Sequence, residues 1–357
     1  MKRSVIILLG ISILQSCSSN TDNQQIEKHI EVEEDFIPVD ARHEVNNPVF
    51  TTVDTLTSFN QTNFVTTLES SVPKRENSIY AATMLFAWDE IREEVEDSII
   101  DIESKKLRVM NTSNSYRNVL NSDEYKTSIS VKDYEISAKA HFKIGLPFLE
   151  PLTNFRKPFL FKSSEVKSFG FRGDDRTGRI AYYKNDKDFA IRLLPENRAH
   201  EIIIIKIKSK KSSLLDYYSA YEDRLINFRQ DTIWWKHKFT NEDIVQIPFV
   251  EFNIYNDYNT IVGSNFSTSS YRAYKVVEAN QETSFILNEE GASVESFAEI
   301  TVMEAAAEIS FEKPEPKHMI FNTDFVIFLK RKDADFPYFG AYIANDELMV
   351  KFNKIEK

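Results

Sequence analysis

The chain has 357 residues, a formal net charge of -11 and a sequence pI of about 5.2. An acidic surface repels nucleic-acid phosphates and gives no general attraction to anionic lipid, so nucleic acid is excluded as a partner class. With 27 phenylalanines, 15 tyrosines and 8 glycines, the chain can bury a large aromatic core but does not suit Gly-rich phosphate cradles, collagen or propellers.

Lys2 and Arg3 give a positive start, and residues 5–14 form an apolar run. That run is long enough for a signal-peptide core and too short to cross a bilayer as a finished helix. Leu14, Gln15, Ser16 and Cys17 follow, and Cys17 is the only cysteine. This quartet resembles the lipobox of bacterial lipoproteins, in which the cysteine takes a diacylglycerol. The resemblance implies removal of residues 1–16, lipidation at Cys17, and a body anchored in the cell envelope at the outer membrane or cell surface. It also implies a mature protein without a thiol or disulfide. Residues 17–50 read as a lipidated polar tether, with an acidic cluster at 31–35. Such a stretch buries too little apolar surface to offset its ordering entropy.

The folded body is expected over 51–357. Residues 55–70 read as an amphipathic helix with Leu56, Phe59, Phe64 and Leu68 on its buried face. Residues 77–97 read as a second helix, apolar almost all round in its first half and amphipathic in its second. From about residue 130 the apolar period becomes two. Strands are expected over 136–144, 159–171, 179–183, 189–194 and 201–208. Ile202 to Ile205 are β-branched and apolar on both faces, as a covered central strand requires. A helix is expected over 213–228, then strands over 244–254, 274–287, 325–330, 338–343 and 348–352. Helices followed by many strands imply an α+β fold with N-terminal helices on large mixed or antiparallel sheets.

Three passages together resemble the serpin family. Residues 283–293 end in Asn288-Glu289-Glu290-Gly291-Ala292-Ser293, which resembles the serpin strand that runs into the hinge of the reactive-centre loop. Residues 321–329 and 337–345, with Phe321-Asn322-Thr323-Asp324 and Phe339-Gly340-Ala341, are similar to the family's last two strands. Val245-Gln246-Ile247-Pro248-Phe249 is similar to its Leu-Pro-x-Phe strand. The resemblance implies a serpin-like fold with an exposed bait loop and no enzymatic activity of its own. A serine or cysteine protease cuts such a loop and is trapped as an acyl-enzyme when the loop inserts into the main sheet.

Insertion needs alternate hinge residues small enough to enter a packed core. Beyond Glu289, Glu290 and Gly291, one face carries Ala292, Val294, Ser296 and Ala298. The other carries Ser293, Glu295, Phe297 and Glu299. A plain amphipathic edge hairpin shows the same alternation. The resemblance places the scissile region at Val302, Met303, Glu304, Ala305, Ala306, Ala307 and Glu308, about 289–310 being the bait loop. Small or acidic residues there imply an elastase-like or Glu-specific protease. The first half is shorter than in the family and has no recognisable helix covering the main sheet, which keeps open a non-inhibitory, serpin-like binding or structural lipoprotein.

Other chemistry finds little support. His29, His43, His141, His200, His237 and His318 form no HExxH and no close metal-spaced pair, so no metal or cofactor is expected. His141 reads as a sheet histidine, Asp174 and Asp175 as solvated turn acids, and Trp234 and Trp235 as strand residues on opposite faces. With no GxSxG or P-loop, a hydrolase is disfavoured.

Overall fold

The computed structural model describes residues 53–95, 98–132, 135–293 and 315–352. The first part carries β1 (Thr62–Phe64), β2 (Asn77–Ala81), α1 (Thr83–Val95), β3 (Ile99–Ile102), α2 (Lys105–Thr112), β4 (Lys126–Lys132) and β5 (Glu135–His141). Next come β6 (Leu146–Pro147), β7 (Thr153–Phe161), β8 (Ser164–Arg172), β9 (Gly178–Asn185), β10 (Asp188–Leu193) and β11 (His200–Lys206). Helices α3 (Leu214–Arg229) and α4 (Trp234–His237) lead to β12 (Ile244–Pro248), β13 (Val250–Asp257), β14 (Asn265–Thr268) and β15 (Ala273–Lys275). β16 (Asn280–Asn288), β17 (Gly291–Ala292), β18 (His318–Ile320), β19 (Phe325–Arg331) and β20 (Phe339–Ile343) complete the set.

A seven-stranded sheet in the order β1-β2-β20-β19-β11-β10-β9 forms the centre. The expected covered strand is β11, flanked by β10 and β19 with all its residues buried. Helix α3 covers one face of the sheet: Tyr217 stacks on Tyr342 and Tyr218 meets Phe328 edge-on, both at 5.5 Å. On the other face Phe339 stacks on Phe285 of β16 at 4.6 Å. Cover on both sides is why β11 tolerates apolar residues at every position. α3 begins where expected, because the Ser213 hydroxyl accepts from the Asp216 N–H and caps the helix.

Two four-stranded sheets flank this core, β18-β12-β8-β7 and β13-β16-β17-β6. β15-β14-β3 and the hairpin β4-β5 form smaller sheets. The result is a mixed α+β body with large sheets and few helices.

Several sequence expectations need correction. Residues 55–70 are not helical; they hold β1, which pairs in parallel with β2. Glu347 explains the extended path, since its carboxylate accepts from the Asn60 and Gln61 N–H groups and the Thr62 hydroxyl. The 77–97 segment is helical only from Thr83. Its first residues are β2, fully buried between β1 and β20, and periodicity alone does not separate a short apolar run of this kind from a buried helix. The single strand expected over 159–171 is part of a hairpin that turns at Lys162, whose φ is +53°. The strand over 244–254 breaks before Val250 and feeds two sheets. That over 274–287 is split into β15 and β16. Residues 348–352 form isolated bridges from Met349 and Lys351 rather than a strand. Trp234 and Trp235 lie in the helical turn α4, not in a strand.

Candidate functional site

The expected hinge lies at the end of β16. The Asn288 side chain accepts from the Glu290 N–H at 3.0 Å, an Asx turn that reverses the chain. Gly291 has φ +141°, and a Cβ there would stand 2.3 Å from the Leu146 carbonyl oxygen. Glycine is therefore required both for its backbone conformation and for the close approach.

After this turn β17 lies between β16 and β6, antiparallel to both. Ala292 pairs with Leu287 and Leu146, and Gly291 with Asn288 and Pro147. The Ser293 N–H donates to the Ile286 carbonyl at 3.1 Å, which carries the ladder one residue further. The turn is fastened to the chain beside β6: Phe148 N–H donates to Glu290 O at 2.8 Å and Leu152 N–H to Glu289 O at 2.7 Å. Asn154 donates from Nδ2 to the Glu289 carboxylate at 2.7 Å. Burial, then the Glu289 charge, pushes the Glu290 carboxyl above its ordinary value. Glu251 is also raised, chiefly by burial.

β16 pairs with β13 along one edge. Among the described residues its other edge, from Asn280 to Phe285, pairs with no strand. Gln281, Thr283, Phe285 and Leu287 turn one side chain after another to the buried face. Gln281 is held there by a 2.6 Å bond to the Thr83 hydroxyl and a 2.5 Å bond from Tyr258 OH. Thr283 Oγ1 is buried without a hydrogen-bond partner among the described residues. The charge of Glu282 reaches His141 at the end of β5, where burial, Lys143 and Lys126 nevertheless depress the imidazole pKa. No described ladder joins β5 to β16.

The chain returns at Lys317, whose ammonium is fully buried against Asp243 at 2.7 Å and donates to the Trp235 carbonyl at 2.9 Å. The Lys317 N–H donates to the same carboxylate, and β18 then pairs in parallel with β12.

Of the expected site residues, Glu289, Glu290, Gly291 and Ala292 come together in this turn. Val294, Ser296, Ala298, the scissile region Val302, Met303, Glu304, Ala305, Ala306, Ala307 and Glu308, and the lipidation residue Cys17 lie outside the described residues. Leu146, Asn154, Thr283, Asp243 and Lys317 were not expected, since pairing between segments so far apart leaves no local signal. Among the described residues no helix is long and apolar enough to cross a membrane, and no three His, Cys, Asp or Glu side chains could hold a metal ion.

No family model and no curated protein matches the chain. Two of the solved structures similar to it are as follows. One is the crystal structure of Manduca sexta serine protease inhibitor (serpin)-12, with 12% identity over 59% of this chain and 56% of that one, at a TM-score of 0.36. The other is thyroxine-binding globulin in complex with thyroxine, with 12% identity over 60% of this chain and 59% of that one, at a TM-score of 0.34. The chain covers less than two thirds of the length of either.

Proposed function

We propose that the chain is a lipid-anchored, serpin-like protease trap whose segment after β17 enters the open edge of β16 once a protease has cut it. The register of β17 carries this reading. Leu287 faces Ala292, so continuing the antiparallel ladder pairs Phe285 with Val294, Thr283 with Ser296 and Gln281 with Ala298. These are the small-residue face of the hinge, set against the buried face of β16. Glu295 and Glu299 would then lie on the side of Ser284 and Asn280, which are not buried. Paired strand residues share a face, so a slip by one residue would bury the glutamates instead.

The chemistry belongs to the attacking protease. Its serine or cysteine adds to the carbonyl of a bond within 302–308, the new amine end leaves, and an ester or thioester links the protease to the bait. Strand insertion would carry that acyl-enzyme away before water completes hydrolysis. Met303, Glu304, Ala305 and Ala306 favour elastase-like or Glu-specific proteases. A lipid on Cys17 would hold the trap in the cell envelope.

A non-inhibitory binding or structural role is the second reading. It is favoured by the hairpin β4-β5, which pairs with no other described strand and leaves the far side of the open edge without a continuous sheet. Incubating the chain with elastase-like, Glu-specific and papain-like proteases separates the two. A covalent complex that survives denaturing electrophoresis supports the trap. Cleavage without a complex, and without a rise in melting temperature, supports the second reading.

A further inference from the structure

At the hinge, β17 lies in register with β6 as well as with β16. β6 belongs to the chain that leaves β5, with only residues 142–145 between the two strands. Leu146 pairs with Ala292 and Pro147 with Gly291, antiparallel. Continued along that ladder, Ile144 falls opposite Val294, Phe142 opposite Ser296 and Ala140 opposite Ala298. Between them, Lys143 falls opposite Glu295 and Lys139 opposite Glu299.

The burial of β5 and the residues after it agrees with this alignment. Ile144 is buried, and Ala140 and Phe142 are half-buried against the core. Phe142 meets Tyr338 edge-on at 5.8 Å. Lys139, His141 and Lys143 alternate with them and are exposed. The two walls of the slot also agree with each other. Phe297 would lie opposite Glu282 on β16 and opposite His141 on β5. A strand between those two would set them roughly 10 Å apart, and in the uncut chain the charge of Glu282 already reaches His141.

Alternating burial rejects a slip of one residue, because such a slip buries the glutamates. It does not reject a slip of two, which keeps every side chain on its own face. Charge makes that distinction. Shifted by two in one direction, Glu295 would meet His141 and Glu299 would meet Ser137. Shifted by two in the other, Glu295 would meet Gly145 and Glu299 would meet His141. The unshifted register sets both glutamates against lysines, since each pair of charges is spaced by four residues.

We propose that Lys143 and Lys139 are positioning residues of the trap: they receive Glu295 and Glu299 on the outer face and fix the register in which the cut segment enters between β16 and β5. The inference rests on the trap reading and deepens it. Unlike charges directly opposed across a strand pair stabilise it, and like charges destabilise it. Lysines on an open edge also disfavour strands that lack matching acids. The occupant is this chain's own segment 294–299. It continues directly from Ser293, whose N–H is already in the ladder, and it carries the two acids at the spacing of the lysines.

The test is charge reversal in the full chain, challenged with an elastase-like protease. Lys139→Glu with Lys143→Glu should lower the yield of covalent complex roughly tenfold and shrink the gain in melting temperature on cutting. Adding Glu295→Lys with Glu299→Lys should restore most of both, and high salt should narrow the differences. If the uncut lysine variant melts below the parent, Lys139→Gln with Lys143→Gln replaces it, and a smaller loss is expected. A parent that traps while the lysine variant traps equally well, or whose loss the second pair fails to restore, overturns the positioning role and leaves the trap standing. A parent that forms no complex and gains no stability on cutting removes the trap, and a labelled peptide of residues 294–301 then decides the register. Tighter binding of this peptide than of its Glu295→Lys, Glu299→Lys form, with the preference inverted in the lysine-reversed chain, supports it. Equal binding of the two peptides, or no binding of either, overturns it.

Discussion

Gly291 passes the Leu146 carbonyl so closely that a Cβ on it would stand 2.3 Å from the oxygen and 2.7 Å from Pro147 Cα. Both neighbours are backbone and cannot swing aside. Gly291→Ala is expected to cost about 2 to 4 kcal/mol from backbone strain and overpacking together. It should also release β17 from β6. Urea denaturation measures the loss, and amide exchange at Ala292 and Ser293 reports the freed ladder. A variant as stable as the parent would show that β17 does not sit against β6.

Thr283 offers a second handle on the same edge. Its hydroxyl is buried and has no hydrogen-bond partner among the described residues, so Thr283→Val should stabilise the uncut chain by about 1 kcal/mol. If Ser296 comes opposite Thr283 after cleavage, the same change should shrink the gain in melting temperature on cutting. Ser296→Lys would place an unpaired charge on the buried face and is expected to turn trapping into plain cleavage. Phe297→Lys, on the other face, should leave complex formation intact. Equal effects of the two lysines on complex yield would refute the register.

The return of the chain at Lys317 is expected to be fragile to one change and tolerant of two. Lys317→Met leaves Asp243 buried without its countercharge and should cost about 3 to 5 kcal/mol. Combining it with Asp243→Asn should recover part of that loss, because no bare charge then remains. A thermodynamic double-mutant cycle checks the coupling, and additive losses would mean that the pair does not act as a unit.

Much of this arrangement was legible in the residues, and the rest was not for definable reasons. The run Ile202 to Ile205 announced a covered strand because β-branched residues favour an extended backbone and apolar side chains on both faces need cover on both sides. The helix over 213–228 was expected from the residues, and the structure adds the Ser213 cap that starts it. β2 was missed because Ile79 to Ala82 look alike in a buried helix and a buried strand, and the pairing with β20 that decides between them is supplied by residues more than 250 positions away. The turn itself was visible as Asn288-Glu289-Glu290-Gly291. Its docking on Leu146 and Asn154 was not, since that contact depends on tertiary register. The Lys317–Asp243 pair carries no pattern that distinguishes it from surface charges.

Glu124 ties the 113–125 segment to the central sheet: it lies 3.0 Å from His200 Nε2 and 2.9 Å from the Arg331 guanidinium. Burial works to raise its pKa, but the hydrogen bond of His200, the Asn121 N–H and the charges of His200 and Arg331 outweigh it and hold the carboxyl below 4.5. A carboxyl depressed in this way contributes stability that is present above its unfolded value and lost as pH falls through the folded one. Urea midpoints of the parent should therefore decline on acidification below about pH 4.5, and those of Glu124→Gln should decline less steeply. Parallel decline of the two chains would place the acid sensitivity elsewhere, Asp324 with its two lysines being the next group to test.

Lys206 predicts a second rise of stability with pH, this one in alkali. Its ammonium is buried at the end of β11, donating to Ile320 O at 2.6 Å and Asn322 Oδ1 at 2.8 Å. Burial is the largest influence and lowers its pKa from 10.5 to about 8. Between these two values the unfolded chain holds a proton that the folded chain has released, so stability should rise with pH across that window. The buried tyrosines act the other way. Tyr221 and Tyr258 are raised above 10.0, mainly by burial. They stay protonated in the folded chain after the unfolded one has ionised, so their contribution falls once pH passes 10. The expected profile is a gain from pH 8 to about 10 followed by a loss. Lys206→Met should abolish the gain and keep the loss. A parent profile that is flat from pH 8 to 10 would mean that the hydrogen bonds to Ile320 and Asn322 hold the amine charged despite its burial.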